Sequence, residues 1–525
     1  MTIYVNRLIC WTGRHLGVSI RRFSKNAPVT SKSTSGNENE MLKRNLGQPT
    51  SYTHPFLMTE GEVTPGLTKQ NYRARRNAVM ATVCAAQDNL TEEKTMGETW
   101  GADREMQEHV VIVLGEATTY MTEDIPYPFH QNTNFRYLSG FLEPDSCLIM
   151  ETMPGRPHPE HKSTLLVPKR DPVKELWNGS RAGKDGALTL TGVHHTEEIE
   201  RLPEILSKFL TDKYTIWYDF DKKVNYNLHM EHIRPFLAEA HHNKMKINLI
   251  KNTIHYHRHI KSDEEIMLMY KAATVSAEAF KRVIPISYPS INESIIHALL
   301  DTECRIAGAQ MLAYPPVVAG GDRANTLHYI SNNQRINDGE LVLVDAGAEY
   351  HGYVADITRT WPVSGKFTPP QRKLYDAVLR TQLACIELCK VGSTLDEIYG
   401  AMTMFLVQEL LGAGVIKQKL KPKEVYEFGR KYCPHHVGHW LGMDVHDTNA
   451  ISRSTTLRPG MVVTVEPGIY IDTNDINVDE EYRGIGIRIE DDVVITKSGP
   501  RVLTAACPKD ADEIEALFQK SKSSS

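Results

Sequence analysis

An apolar strand that ends in a carboxylate is the feature that most narrows what this chain can fold into. Leu341-Val342-Leu343-Val344-Asp345 reads as a buried β-strand, and a lone carboxylate there is costly to bury. It needs partners. Asp356 follows eleven residues later, inside a second strand pattern over 352–361. If 346–351 make the turn, the two strands pair antiparallel and both carboxylates face one point. Converging carboxylates repel until one takes up a proton or a divalent cation lies between them.

The device recurs. A strand over 461–466 ends in Glu466, on the face shared by Val462 and Thr464. In a strand over 484–496 the isoleucines 485, 487 and 489 share one face, and Arg488 and Glu490 the other, where Gly486 is expected to leave room for a ligand. A half-exposed edge strand would account for Glu490 alone, but four acidic strand positions in one half argue for a metal centre. The Gly-rich segment His435-His436-Val437-Gly438-His439-Trp440-Leu441-Gly442-Met443-Asp444-Val445-His446 adds imidazoles, and His328 adds another upstream. Imidazoles beside buried carboxylates point to catalysis. Four carboxylates and one imidazole suit two hard or borderline ions, manganese or cobalt, rather than a thiolate-preferring metal. Two such ions can hold a water and lower its pKa, which is hydrolytic machinery. Serine-elbow, phosphate-loop, HExxH and dinucleotide fingerprints have no convincing context.

The 525 residues are too many for one core. Apolar runs at 110–114, 147–150, 164–167 and 215–218 read as buried strands of an N-terminal α/β sheet. Histidines 194, 195, 241, 242, 255, 257 and 259 lie in polar stretches of that half and read as solvated surface. Ser262 with Glu265 and Ser290 with Glu293 predict capped helix starts, as do Thr368 with Gln371 and Thr394 with Glu397, Gly392 being a stop. Helices and strands do not alternate strictly, so the C-terminal half reads as α+β rather than doubly wound. A net charge of −5 gives no basic surface for nucleic acid. Apolar runs are too interrupted for a membrane span. Eight scattered cysteines suggest a reducing compartment, with Cys385 and Cys389 as core thiols. Arg7, Arg14, Arg21, Arg22 and Lys25, with no acidic residue before Glu38, suit an organelle-targeting leader. The expected organisation is a leader over 1–35, a linker over 36–65, an N-terminal domain over 66–255, a catalytic domain over 256–510 and a tail over 511–525.

The order Asp345, Asp356, His439, Glu466, Glu490 resembles the ligand set of the pita-bread metallopeptidases. The similarity runs from about 260 to 508. His328, His435, His446, Arg488, the segment Tyr314-Pro315-Pro316 and the motif Asn134-Phe135-Arg136-Tyr137-Leu138-Ser139-Gly140-Phe141 match its aminopeptidase P branch, which carries an added N-terminal domain. The resemblance implies two divalent ions, manganese foremost, on those five ligands, with Glu466 as general base and acid. It implies His328, His435 and His446 as catalytic groups around the scissile peptide. Tyr314, His328, His439, His446 and Arg488 would line the substrate site, Arg488 also supporting the metal shell. It further implies peptide substrates with proline second or an otherwise processed N-terminus, a homodimer, and, with the basic leader, the branch's mitochondrial subgroup in the matrix, with the cytosol as a second location. A prolidase, restricted to dipeptides, and a non-catalytic binding or chaperone protein of the same fold remain alternatives.

Overall fold

Two hydrophobic patterns build two sheets of different kinds. The computed structural model describes residues 40–92, 107–221, 224–417 and 420–523. The expected leader over 1–35 lies outside them. All elements below belong to one unit, Met41–Ser525.

In the N-terminal half, α1 (Lys69–Glu92) precedes β1 (Glu108–Leu114), and α2 (Thr133–Ser139) leads to β2 (Cys147–Thr152) and β3 (His161–Val167). β4 (His195–Glu198), β5 (Tyr214–Trp217) and β6 (Ile247–Asn248) complete a six-stranded sheet in the order β4-β3-β2-β1-β5-β6. β1 to β3 pair antiparallel, and the outer pairings are parallel. Continuous burial along β1 follows from its run of valines and isoleucine covered on both faces. Residues 40–65 are not a linker through their length, because Leu46, Thr50 and Met58 are buried and Leu46 joins the core of this half.

Helix α3 (Lys251–His259) crosses the expected boundary. Its histidines correct the surface reading: His255 and His259 are buried, while His194, His195, His241 and His242 are exposed. The helix turns His255, Arg258 and His259 inward, where Asp447, Thr448 and Ala450 of the C-terminal half receive them.

In the C-terminal half, α4 (Asp263–Val283) starts at the Ser262–Glu265 capping box. The next helix, α5 (Glu293–Ile306), is capped by Asn292 rather than Ser290. Glu293 is instead buried, accepting bonds from Gly320 N, Arg323, Tyr329 and Gln334 N, so it ties a loop instead of closing a cap. β7 (Val317–Gly320), β8 (Leu341–Ala346) and β9 (Ile357–Pro362) form one antiparallel sheet. Helices α6 (Pro369–Leu388) and α7 (Leu395–Gly412) open with the two expected capping boxes. β10 (Val462–Val465) pairs with β13 (Asp491–Thr496), and β11 (Gly468–Tyr470) with β12 (Gly486–Arg488). The expected tail is helix α8 (Ala511–Ser523), whose Ala511, Ile514 and Phe518 face join the catalytic-half core.

The two long strands expected from sequence are each broken where an acid sits. The pattern over 352–361 is interrupted at Ala355-Asp356, and that over 484–496 at Ile489-Glu490. Breaking the ladder frees these carboxylates from a flat sheet face and lets them turn toward a common point.

Candidate metal centre

β8 pairs with β9 so that Asp345 lies opposite Thr358. Asp356 lies in the break just before β9, and its Oδ1 meets that of Asp345 at one hydroxyl, that of Tyr314. Gly347 makes this hairpin possible, since a Cβ there would stand 1.7 Å from Ala355 O. Gly438 does the same across the centre, where a Cβ would meet Thr464 O at 1.9 Å. That close approach draws His439 against β10, its N–H donating to Thr464 Oγ1 at 3.0 Å. Glu466 follows β10 directly. Glu490 N donates to Thr358 O, which fixes the β12–β13 break beside β9.

The side chains converge. His439 Nε2 lies 3.4 Å from Asp356 Oδ2 and 3.6 Å from Glu466 Oε1. Asp356, His439 and Glu490 each offer a ligand atom, all within 4.8 Å of one another. Thr358 Oγ1 donates to Glu490 Oε2 at 2.5 Å, and Thr464 Oγ1 to Glu466 Oε1 at 3.2 Å. Arg488 Nη2 donates to Asp345 Oδ2 at 2.6 Å. His435 Nδ1 donates to the carbonyl of His436, so its Nε2 accepts from Tyr470 OH at 2.8 Å, and Tyr470 in turn accepts from Arg488 Nη1 at 2.9 Å. A continuous hydrogen-bonded path therefore runs from His435 to Asp345.

Of the remaining expected residues, Tyr314 bridges Asp345 and Asp356 through its hydroxyl. His446 is exposed, its ring edge-on to His439 with centroids 4.4 Å apart. His328 is exposed and stands near His435 and His446. The room expected beside Gly486 is taken by the chain itself: a Cβ there would sit 2.7 Å from the Ala324 backbone. Tyr470, Thr358 and Asp492 escaped the sequence reading, and Thr464 entered it only as a face-mate of Glu466. Asp492, buried, accepts from Asp356 N, and the run Glu490-Asp491-Asp492 was the only signal of it.

Electrostatics state what this set requires. Burial pushes the Asp345 carboxyl up to about 6, an effect Arg488 opposes and Asp356 adds to. Burial likewise lifts Glu466 to about 7, and Glu490 well above the carboxylate range with help from Asp356 and Glu466. Burial disfavours a charged His439, yet its bond to Asp356 and the charge of Glu466 raise it to about 9. Carboxylates driven toward protonation and an imidazole driven toward its cation are one demand for positive charge. A divalent ion meets it. The orientation fits as well, because His439 Nδ1 donates to Trp440 O at 3.1 Å, so the proton facing the carboxylates is the one on Nε2 and is the one a metal would replace.

Residues 267–497 match the metallopeptidase family M24, and residues 72–217 match the aminopeptidase P N-terminal domain. Xaa-Pro aminopeptidase 3 of Rattus norvegicus is 46% identical over 92% of this chain and 92% of its own length. The chain belongs to the aminopeptidase P family. Like other members of the aminopeptidase P family it is a metal-dependent aminopeptidase, with a pita-bread C-terminal half. The mitochondrial intermediate cleaving peptidase 55 of Arabidopsis thaliana is 34% identical over 95% of the chain and 92% of that protein. The solved proline aminopeptidase P II of Yersinia pestis superposes with a TM-score of 0.75 at 34% identity, covering 86% of this chain and all of that one.

Proposed function

We propose that this aminopeptidase releases the N-terminal residue of peptides whose second residue is proline, using two divalent ions, manganese foremost, held by Asp345, Asp356, His439, Glu466 and Glu490. The convergence of those five side chains around a His439 whose ring is already oriented for a ligand carries the reading. Bound there, the ions supply polarisation of a carbonyl and a water acidic enough to ionise near neutral pH.

The chain's own residues do the rest. Glu466, steadied by Thr464, takes a proton from the attacking water and delivers it to the departing nitrogen as the C–N bond breaks. His446 presents an exposed imidazole beside His439, suited to hold the substrate backbone. His435 keeps its orientation through Tyr470, and His328 stands exposed near it. Arg488 fixes Asp345, and Tyr314 fixes Asp345 with Asp356. The names of the relatives favour proline at the second position, and the mitochondrial relative, together with the basic leader, favours import into the mitochondrial matrix. We also propose a homodimer.

The test is hydrolysis by metal-stripped, manganese-reloaded protein of an Xaa-Pro dipeptide, an Xaa-Pro-Yaa tripeptide and a longer peptide without proline. Metal-dependent release of Xaa from the tripeptide is expected. Cleavage of the dipeptide alone would make it a prolidase, and cleavage of none with metal bound would leave a binding protein. Fusion of residues 1–35 to a fluorescent protein tests import.

A further inference from the structure

A buried cluster that the peptidase chemistry does not use lies in the N-terminal half. Cys84 on α1, His109 on β1 and His158 between β2 and β3 each offer a ligand atom, and these atoms all lie within 4.8 Å of one another. The imidazole rings of His109 and His158 are 5.7 Å apart, tilted by 56°.

A second observation points to the same place. Glu108 Oε2 and His158 Nε2 are both buried without a hydrogen-bond partner, although they stand 3.8 Å apart and Glu108 is only 5% exposed. Orphaned polar atoms of this kind call for an explanation. If His158 ligates through Nδ1, its single proton sits on Nε2, on the side that faces the Glu108 carboxylate 3.8 Å away.

We infer that Cys84, His109 and His158 form a second metal site, separate from the peptidase centre, for a borderline or soft divalent cation such as zinc, with the Glu108 carboxylate facing the Nε2 side of His158. A thiolate with two imidazoles selects zinc over manganese, the opposite preference to the oxygen-rich centre. The three donors come from a helix, a strand and a loop, so the ion acts as a staple for the sheet.

Trp217 makes the site observable. Its indole N–H donates to His109 Nδ1 at 3.1 Å. A cation on Nδ1 displaces that bond, and a cation on Nε2 moves the ring proton to Nδ1, which also ends it. Either way the indole surroundings change.

The experiment is titration of cobalt(II) into the metal-free full chain, read by absorption and tryptophan emission. A thiolate-to-cobalt charge-transfer band is expected, because the peptidase ligand set contains no sulfur. Asp356→Ala should keep the band, and Cys84→Ser should lose it together with the emission change. Should Cys84→Ser fail to fold by circular dichroism, His158→Asn serves the same comparison and should weaken cobalt binding at least tenfold. Cobalt bound without a thiolate band, or a band that survives Cys84→Ser or is untouched by His158→Asn, overturns the assignment.

Discussion

The Tyr314 hydroxyl lies 2.6 Å from Asp345 Oδ1, and the same oxygen is 2.5 Å from Asp356 Oδ1. One hydroxyl hydrogen is shared between two carboxylates that would otherwise repel. Tyr314→Phe removes that hydrogen without changing the ring. Metal affinity should fall about 10–100-fold, the usual cost of losing a group that orients a ligand. Activity plotted against free manganese checks it; an unchanged midpoint would remove Tyr314 from the centre.

Crowding four carboxylates around one point favours metal binding at the expense of the metal-free fold. Glu490→Gln keeps an oxygen to accept from Thr358 while removing one charge. In chelator the variant should unfold at a higher temperature than the parent, while manganese should stabilise it less and turnover should be lost. Paired thermal melts with and without manganese measure both; a metal-free variant no more stable than the parent contradicts the argument.

Arg258 is a buried clamp between the halves. It donates to Thr133 and Asn134 on one side and to Asp444 and Asp447 on the other. Asp447 also accepts from Lys261 at 3.1 Å. Arg258→Met leaves Asp447 buried with only the lysine, and should cost about 3–5 kcal/mol. His446 lies between the two aspartates in sequence, so kcat/KM should fall while metal content holds. Denaturant unfolding and metal analysis separate the effects, and adding Asp447→Asn should restore part of the stability.

Acid should loosen the same seam. Burial and the nearby Arg258 charge hold His255 down at about 4, and Ala450 N donates to its Nδ1. Below the ordinary histidine pKa of about 6.5 the unfolded chain binds a proton that the folded chain refuses. Stability therefore rises with pH from about 4 to about 6.5 and is lost on acidification through that window. His255→Gln should flatten the slope by an amount on the order of 1–3 kcal/mol between those limits. Equal slopes in variant and parent would place the acid sensitivity elsewhere.

Asp345 was legible in the sequence because strand alternation is local: once Leu341 to Asp345 is a strand, the face of each side chain follows, whereas Asp356 and Glu490 sit in strand breaks, Glu466 just past a strand end and His439 in a loop, so only the fold decided where they point. Helix starts at Ser262, Thr368 and Thr394 were legible for the same reason, a cap and its partner being three residues apart. Three-residue spacing misled at Ser290, where Glu293 answered to Arg323 and Tyr329 instead. Only the tertiary structure decided that Arg488 reaches Asp345 across 143 residues and Arg258 reaches Asp447 across 189. It also decided that His255 and His259 are buried, that Gly486 admits Ala324 rather than a ligand, and that residues 511–523 pack as a helix. Burial depends on what lies opposite a surface. Periodicity records which face a residue takes, but the element that covers that face comes from elsewhere in the chain.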